Sequence, residues 1–505
     1  MKWSKTVKLA SIAFLSIALT APMIWTSSES SPLSARVDVA SAGSLDDPYQ
    51  VHVTVNPDTT IGINFLSLGF QLSYGSLGTF QQFADLRELA EAASFKIVRV
   101  NDILKSQWIP TLMPCTQFNE ETRTGTYDWT SVDDIIGKIL GIHAEPLICL
   151  GAFGKGGPMI PLGMMIDPAT NLPKPESYAA YASEWVKHFR TKGWSVRYYE
   201  IFNEPWAYFG WEPVNFTELN NYMFLFNAAA TSMRRESPDL VISFDFICRK
   251  PVMDYWLSHG GADVDSLNFH KYDAWVVGQH ADAEMFASAE SEYFGTWPLG
   301  QSIVEARQRW FNARGRNLPL ICSESNFNAA FENGTDPKIQ QMAGAVWLAM
   351  VLRKEVLDGV SYHTYFELST GYYKNSYGFG MINCAGTDSF APWYPYYVQQ
   401  MLGNNLAPRD ALVETTCSSE DVETLGWLHN RTFNLLLISK TDKVAMVNVH
   451  GLGKSPVSIF KLDNTIPWQG AAIQSGIIDS ITHARALPLV MSGYTVVLLQ
   501  TPLLL

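Results

Sequence analysis

Charge is scarce in this 505-residue chain: Asp, Glu, Lys and Arg together make up 17%, against roughly a quarter in ordinary soluble domains. Positive charge is scarcest, with 36 Lys+Arg against 49 Asp+Glu and a net charge of -13. A chain so acidic is a poor partner for a polyanion, which excludes nucleic acid as its natural ligand. Cysteine is also sparse. Six residues, no CxxC and no Cys/His cluster along the sequence give neither a disulfide framework nor a zinc motif. Cys149, Cys248 and Cys322 sit in apolar runs and read as buried thiols. Cys115, Cys384 and Cys417 fall in loop-like stretches, where one pair could bridge. No Gly-rich phosphate loop follows the first strand-like run, which argues against a doubly wound nucleotide-binding sheet. Internal repeats and low-complexity tracts are absent as well.

What is present is apolar and aromatic. Apolar residues reach 47% and aromatics 13%, enough for a large core and for flat faces that stack on ligands. The length exceeds what one hydrophobic core fills, so two domains are expected. At the N-terminus, Lys2, Lys5 and Lys8 precede an uncharged, mainly apolar stretch from Leu9 to Trp25. Residues 1–26 therefore read as a signal peptide or, left uncleaved, an N-terminal membrane anchor. Residues 27–47 read as a Ser-rich linker. Sequons at Asn215, Asn333 and Asn430 fit an exported, glycosylated chain. The expectation is a secreted, extracellular protein.

From about Thr60 to Leu402, short apolar runs alternate with helical patterns. Eight runs are counted: Phe65–Phe70, Ile97–Val100, Pro146–Leu150, Arg197–Phe202, Val241–Phe244, Ser266–Phe269, Leu318–Cys322 and Gly359–Tyr362. Amphipathic stretches such as 80–93, 178–192, 216–236 and 337–357 lie between them. Such an alternation predicts an α/β fold, a (β/α)8 barrel over residues 58–402. After Leu402 the helical period stops. Val422–Leu428, Phe433–Lys440, Val444–His450, Val457–Leu462 and Thr495–Gln500 then predict a β-sandwich over 403–505. The alternating stretch in residues 48–57 is expected to add a strand to it.

Reacting groups in such a barrel sit at the C-terminal ends of its strands. The fourth run ends in Asn203-Glu204-Pro205 and the seventh in Ser323-Glu324-Ser325-Asn326. Two carboxyls facing each other across a barrel mouth are what glycoside cleavage needs, one as acid and one as nucleophile. Here a resemblance becomes explicit. Tyr199-Glu200-Ile201-Phe202-Asn203-Glu204-Pro205-Trp206 resembles the acid/base segment of clan A retaining glycoside hydrolases, and Leu320-Ile321-Cys322-Ser323-Glu324 resembles their nucleophile strand. Val98-Arg99-Val100, Leu267-Asn268-Phe269-His270-Lys271-Tyr272, Tyr377–Ile382 and Ala391-Pro392-Trp393-Tyr394 are similar to the family 39 pattern. The barrel-plus-sandwich layout is shared with families 51, 30 and 79.

The resemblance implies that Glu204 is the acid/base and Glu324 the nucleophile. Asn203 would donate to the sugar 2-OH, and Arg99 would keep Glu324 ionised. His270 and Tyr272 would project from the sixth strand, Tyr272 donating to Glu324; a structural histidine and a core or rim tyrosine are their plain alternatives. Read from the residues, the cluster Trp206, Tyr208, Phe209 and Trp211 either stacks on sugars in leaving-group subsites or packs the fourth loop. Arg99 pairing with Glu200 is the plain alternative for that residue. No cofactor or metal is implied. The chain departs from the pattern on its eighth strand, where Tyr365 or Phe366 stands in place of the usual tryptophan; nearby Glu367 is left to sugar or solvent. The implied function is a retaining glycosidase acting on a β-linked oligo- or polysaccharide. An exo-acting β-xylosidase or α-L-arabinofuranosidase-like enzyme is the alternative, and a non-catalytic carbohydrate-binding protein the reading from another class.

Overall fold

The computed structural model describes residues 48–101, 113–154, 157–276, 278–291, 299–329, 336–370, 379–384, 390–453, 455–464, 474–478 and 486–502. The leader and linker readings (1–47), the Asn333 sequon and Tyr377-Gly378 lie outside the described residues. Among those described, no helix is long and apolar enough to cross a membrane.

Eight parallel strands form the barrel: Ser67–Leu72, Ile97–Val100, Glu145–Gly154, Tyr198–Asn203, Val241–Ser243, Leu267–Ala274, Leu320–Asn328 and Val360–Tyr365. Each contains most of one of the eight apolar runs. Sheet pairing runs continuously from the fifth strand back through the first to the eighth and on to the sixth. The remaining gap is bridged where Asp265 N donates to Ile242 O (2.9 Å) and Ser243 Oγ to Ser266 O (2.6 Å).

Strands buried on both faces read as nearly unbroken apolar runs, and the two faces do different things here. Ile97, Leu147, Tyr198 and Ile321, with Val241 and Tyr362, fill the interior at the N-terminal end of the barrel. Side chains alternate along a strand, so Arg99 and Glu200 enter the same interior one step higher. Val98, Val100, Tyr199 and Ile201 point outward into the helix-facing core. Gly69 on the first strand permits close approach to the second, because a Cβ there would meet Ile97 O at 2.0 Å.

The helices follow their sequence signals with two differences. Pro175–Lys192 starts on a proline and ends at Gly193 in the left-handed region (φ 71°), the usual helix terminator. Phe216–Glu236 is capped by Asn215, whose side chain accepts from Thr217 N and Glu218 N. The pattern over 80–93, however, is cut into Tyr74–Gln82 and Ala84–Ala92, because Phe83 is extended (φ -106°, ψ 121°). Pro337–Gln340 is a separate 3-10 turn and the long helix starts only at Met342, running to Asp358.

The C-terminal strands form one nine-stranded path that curls over a common apolar core. Besides the five strands expected there, it contains Ala411–Cys417, Gln474–Ile478 and Leu487–Ser492. Tyr49–Ile63 lies between Ala411–Cys417 (antiparallel) and Val444–His450 (parallel). Strand Thr432–Ser439 shows how the sandwich meets the barrel. Phe433, Leu435 and Leu437 face the sandwich core, while Leu436 and Ile438 join the barrel's outer core. The joint is tied by Trp427 Nε1 donating to Asn405 O (2.6 Å), Tyr494 OH to Asp282 (2.8 Å) and Arg353 Nε to Thr424 O (2.9 Å).

All six cysteines are free thiols. The bridge considered among Cys115, Cys384 and Cys417 does not form. Cys115 lies in a hairpin strand and Cys417 at the end of a sandwich strand, while Cys384 donates to Thr370 O.

Candidate active site

At the C-terminal mouth of the barrel, side chains from six strands or their ends converge on Glu324. Strict alternation from Ile321 would face Ser323, rather than Glu324, into the barrel. Register shifts after Cys322, against both neighbouring strands, correct this; one inserted residue turns the following side chains over. Glu324 is then 5% exposed. Its Oε1 accepts from Arg99 Nη1 (2.6 Å), Gln71 Nε2 (3.1 Å) and Asn101 Nδ2 (3.4 Å), and its Oε2 from Tyr272 OH (2.8 Å). Burial alone would raise its pKa, but the His270 and Arg99 charges with the Tyr272 and Gln71 donors hold it below the usual carboxylate value. Such a group stays ionised.

Arg99 is fully buried and serves both readings offered for it. Nε pairs with Glu200 Oε2 at 2.6 Å, Nη1 reaches Glu324 and Gln71 Oε1 (2.8 Å), and Nη2 donates to Asn203 Oδ1 (2.8 Å). A guanidinium can only donate, so the Asn203 oxygen is occupied and its Nδ2 is left to donate elsewhere. Glu200 is completed by Asn268 Nδ2 (2.6 Å).

The end of the fourth strand is bent to present Glu204. Phe202 and Glu204, on either side of Asn203, have left-handed φ values of 63° and 46°. Non-glycine residues are held in this region only where the surroundings dictate it, commonly at functional sites. Asp245 supplies part of that constraint by accepting from Glu204 N (2.8 Å). Glu204 itself keeps 29% side-chain exposure, consistent with a group that must meet solvent.

His270 joins the two carboxylates. Its Nδ1 is 3.2 Å from Glu204 Oε1 and 3.5 Å from Glu324 Oε2, and its Nε2 is 3.0 Å from Asp245 Oδ2. One oxygen of Glu204, one of Glu324 and a His270 nitrogen all lie within 4.8 Å of one another. Burial works against the imidazolium, but Glu324 and Asp245 outweigh it and push His270 up to about 10. Asp245 is raised to about 6 by burial, against the pull of His270.

A pH prediction follows from His270. Its folded pKa lies above the ordinary 6.5, so its stabilising contribution is full below about 6.5 and disappears as pH rises through about 10. The difference in Tm between the native chain and His270→Gln should therefore shrink steadily from pH 6.5 to 10. A constant difference across that range would show that the imidazolium is not held by these carboxylates.

The aromatics that follow Glu204 fall in different environments. Phe209 is fully buried against Tyr222, and Tyr208 stacks on Phe153. Half-buried Trp206 and Trp211 meet edge to face (5.7 Å), and both contact Phe246, whose ring lies 4.9 Å from His270. On the eighth strand, Tyr365 is buried in the barrel's outer core, whereas Phe366 reaches the site, 6.2 Å from the Tyr272 ring. Glu367 does not face solvent. It is 5% exposed and accepts from Ser73 Oγ (3.1 Å) and Ser76 Oγ.

All seven residues singled out in the sequence thus line one mouth: Glu204, Glu324, Asn203, Arg99, His270, Tyr272 and Trp206. Sequence reasoning missed Gln71, Asn101 and Asp245. Gln71 and Asp245 each carry a detectable signal, a polar residue at the end of an apolar strand run. Asn101 follows Val100 just past a strand end and carries the same one.

No protein-family model matches this sequence, and no curated protein matches it. Solved structures do match in fold. A monomeric β-xylosidase from Caulobacter crescentus CB15 aligns with a TM-score of 0.62 at 14% identity, over 90% of this chain and 100% of that one. An α-L-arabinofuranosidase from Thermotoga maritima gives 0.61 at 14% identity, again over 90% and 100%. The GH39 enzyme from Xanthomonas axonopodis pv. citri gives 0.61 at 14%, over 90% and 98%. The chain therefore has the (β/α)8-barrel-with-β-sandwich fold found in these glycosidases.

Proposed function

We propose that the chain is a retaining glycoside hydrolase. The observation that carries the reading is the Glu204–Glu324 pair, on the fourth and seventh barrel strands, with oxygens within 4.8 Å. Retaining glycosidases hold their carboxyl groups roughly 5–5.5 Å apart and inverting ones about 6.5–9.5 Å, the wider gap leaving room for a water. In the first step Glu324 attacks the anomeric carbon, the bond to the leaving oxygen breaks, and Glu204 gives that oxygen its proton. In the second, Glu204 takes a proton from water, the water oxygen bonds to the anomeric carbon, and Glu324 departs. Asn203, its amide oriented by Arg99, donates to the sugar 2-OH. Tyr272 steadies Glu324, and His270 holds a proton between the carboxylates.

The substrate proposed is a β-linked oligo- or polysaccharide, on the strength of the Trp206–Trp211–Phe246 cluster beside the acid/base. A second reading, an exo-acting β-xylosidase or α-L-arabinofuranosidase-like enzyme, is favoured by the activities named for the similarly folded proteins. Export is proposed from the basic and apolar N-terminal residues. The test is sugar release from aryl glycosides and β-linked polysaccharides, with the first-formed anomer read by NMR. Retained configuration is expected. Inverted product would overturn the mechanism, and silence on every substrate would favour a carbohydrate-binding protein.

A further inference from the structure

A second group of metal-ligating side chains lies on the outer wall of the barrel, away from the carboxylate pair. Cys322 on the seventh strand and His363 on the eighth are register partners. Both side chains face outward, toward Glu355 on helix Met342–Asp358. The three residues are buried, at 0%, 0% and 4% exposure. One ligand atom from each lies within 4.8 Å of the other two. A tetrahedral zinc ion holds its ligand atoms roughly 3.5 Å apart, given metal–ligand bonds of about 2.0–2.3 Å.

The group is incompletely satisfied as a hydrogen-bonded cluster. His363 Nδ1 meets Glu355 Oε2 at 2.8 Å and is the ring nitrogen turned toward the group, yet the buried Glu355 Oε1 has no hydrogen-bond partner among the described residues. Buried polar atoms without partners call for an explanation such as a missing ion. The Cys322 thiol donates to Glu324 O (3.3 Å) and also faces the Glu355 carboxylate; burial together with that carboxylate pushes the thiol's pKa up. Glu355 also borders a cavity of about 40 Å³ that Phe269, Lys271, Val351 and Lys354 help to line. That is room for a water molecule beside Glu355. Both lysines are already paired, Lys271 with Asp273 (2.6 Å) and Lys354 with Asp358 (2.6 Å).

We propose that Cys322, Glu355 and His363 form a Zn²⁺ site, with water from the cavity as the fourth ligand. A thiolate, an imidazole and a carboxylate suit zinc, whereas calcium and magnesium require oxygen ligands. Binding converts the thiol to a zinc-bound thiolate and releases its proton to solvent, so affinity rises with pH. The ion ties the helix to two strands. It also fixes Cys322, the residue before the register shift that turns Glu324 into the barrel.

The test uses the full chain after dialysis against a chelator, loaded with Zn²⁺ or with Co²⁺ as a spectroscopic probe. Expected are a single equivalent of metal by elemental analysis, a rise in Tm on loading, and a thiolate-to-cobalt charge-transfer band. The band should survive in Glu204→Gln, which disables the other three-residue group, and vanish in Cys322→Ser. His363→Asn, checked for folding by near-ultraviolet circular dichroism, should also lose the bound equivalent. Absence of metal binding by the native chain, or full stoichiometry and an unchanged band in Cys322→Ser, would overturn the proposal.

Discussion

Glu324→Gln should fold, bind sugar and turn over almost nothing. Losing the nucleophile in covalent catalysis costs on the order of 10⁴–10⁶ in kcat. The substitution keeps the shape of the side chain, an acceptor oxygen for Arg99 and an NH2 that can donate to the Tyr272 hydroxyl oxygen, so the effect falls on chemistry before it falls on the fold. Glu204→Ala should behave differently, and the difference separates the two roles. A substrate whose leaving group departs without protonation still forms the glycosyl-enzyme intermediate, which then accumulates because no base activates water. Added azide, which needs no deprotonation, should restore turnover and yield a glycosyl azide of retained configuration. Unprotonated alkoxide leaving groups should remain nearly inert. Equal loss on activated and unactivated substrates in Glu204→Ala, with no azide rescue, would remove Glu204 from the acid/base role.

The second large effect is expected at Arg99. Its guanidinium sits fully buried between Glu200 and Glu324, with a further bond to Asn203. Arg99→Met leaves two carboxylates facing each other without their shared cation. Removing one partner of a buried ion pair typically costs about 3–5 kcal/mol. Activity should fall as well, because Glu324 loses a charge that keeps it ionised and Asn203 loses its orientation. Arg99→Lys should rescue little, since one ammonium cannot replace a fork that reaches Glu200, Glu324 and Asn203 together. In Arg99→Met/Glu200→Met the surplus buried charge is reduced, so Tm should partly recover while activity does not. Denaturant melts and kcat measured on the three variants check this. A native-like Tm for Arg99→Met would mean that the buried network is not holding the barrel interior together.

Much of this arrangement was legible from residue order. The eight apolar runs locate the barrel strands because both faces of a parallel strand are buried. Glu204 and Glu324 stand out because charge at the end of such a run has few structural reasons to be there. Period-2 alternation also separates Arg99 and Glu200, which point inward, from Val98 and Tyr199, which point outward. It fails on the seventh strand, where counting from Ile321 would turn Glu324 away from the mouth. The register shift that corrects it depends on pairing with two other strands and leaves no mark in the run itself. Asp245 shows as a polar residue at the end of a run, but what it does depends on Glu204 and His270, which lie on other strands. The Cys322, Glu355 and His363 group was invisible for a similar reason. Its members belong to three elements, with none of the short spacings that announce a metal site. The break at Phe83 shows the reverse case, a helical pattern interrupted by a single extended residue that the pattern does not encode.

Strand Thr432–Ser439 is buried on both faces, one belonging to the barrel's outer core and the other to the sandwich. It leaves little freedom for the two halves to diverge. A change on one side chain is felt next door by the opposite layer, so variation is pushed to loops and strand edges. The sandwich is thus a poor candidate for exchange as an independent module. A chimaera that keeps this barrel but imports another sandwich would have to reproduce Leu436, Ile438, Val496 and Leu498, residues that barrel-facing helices already require.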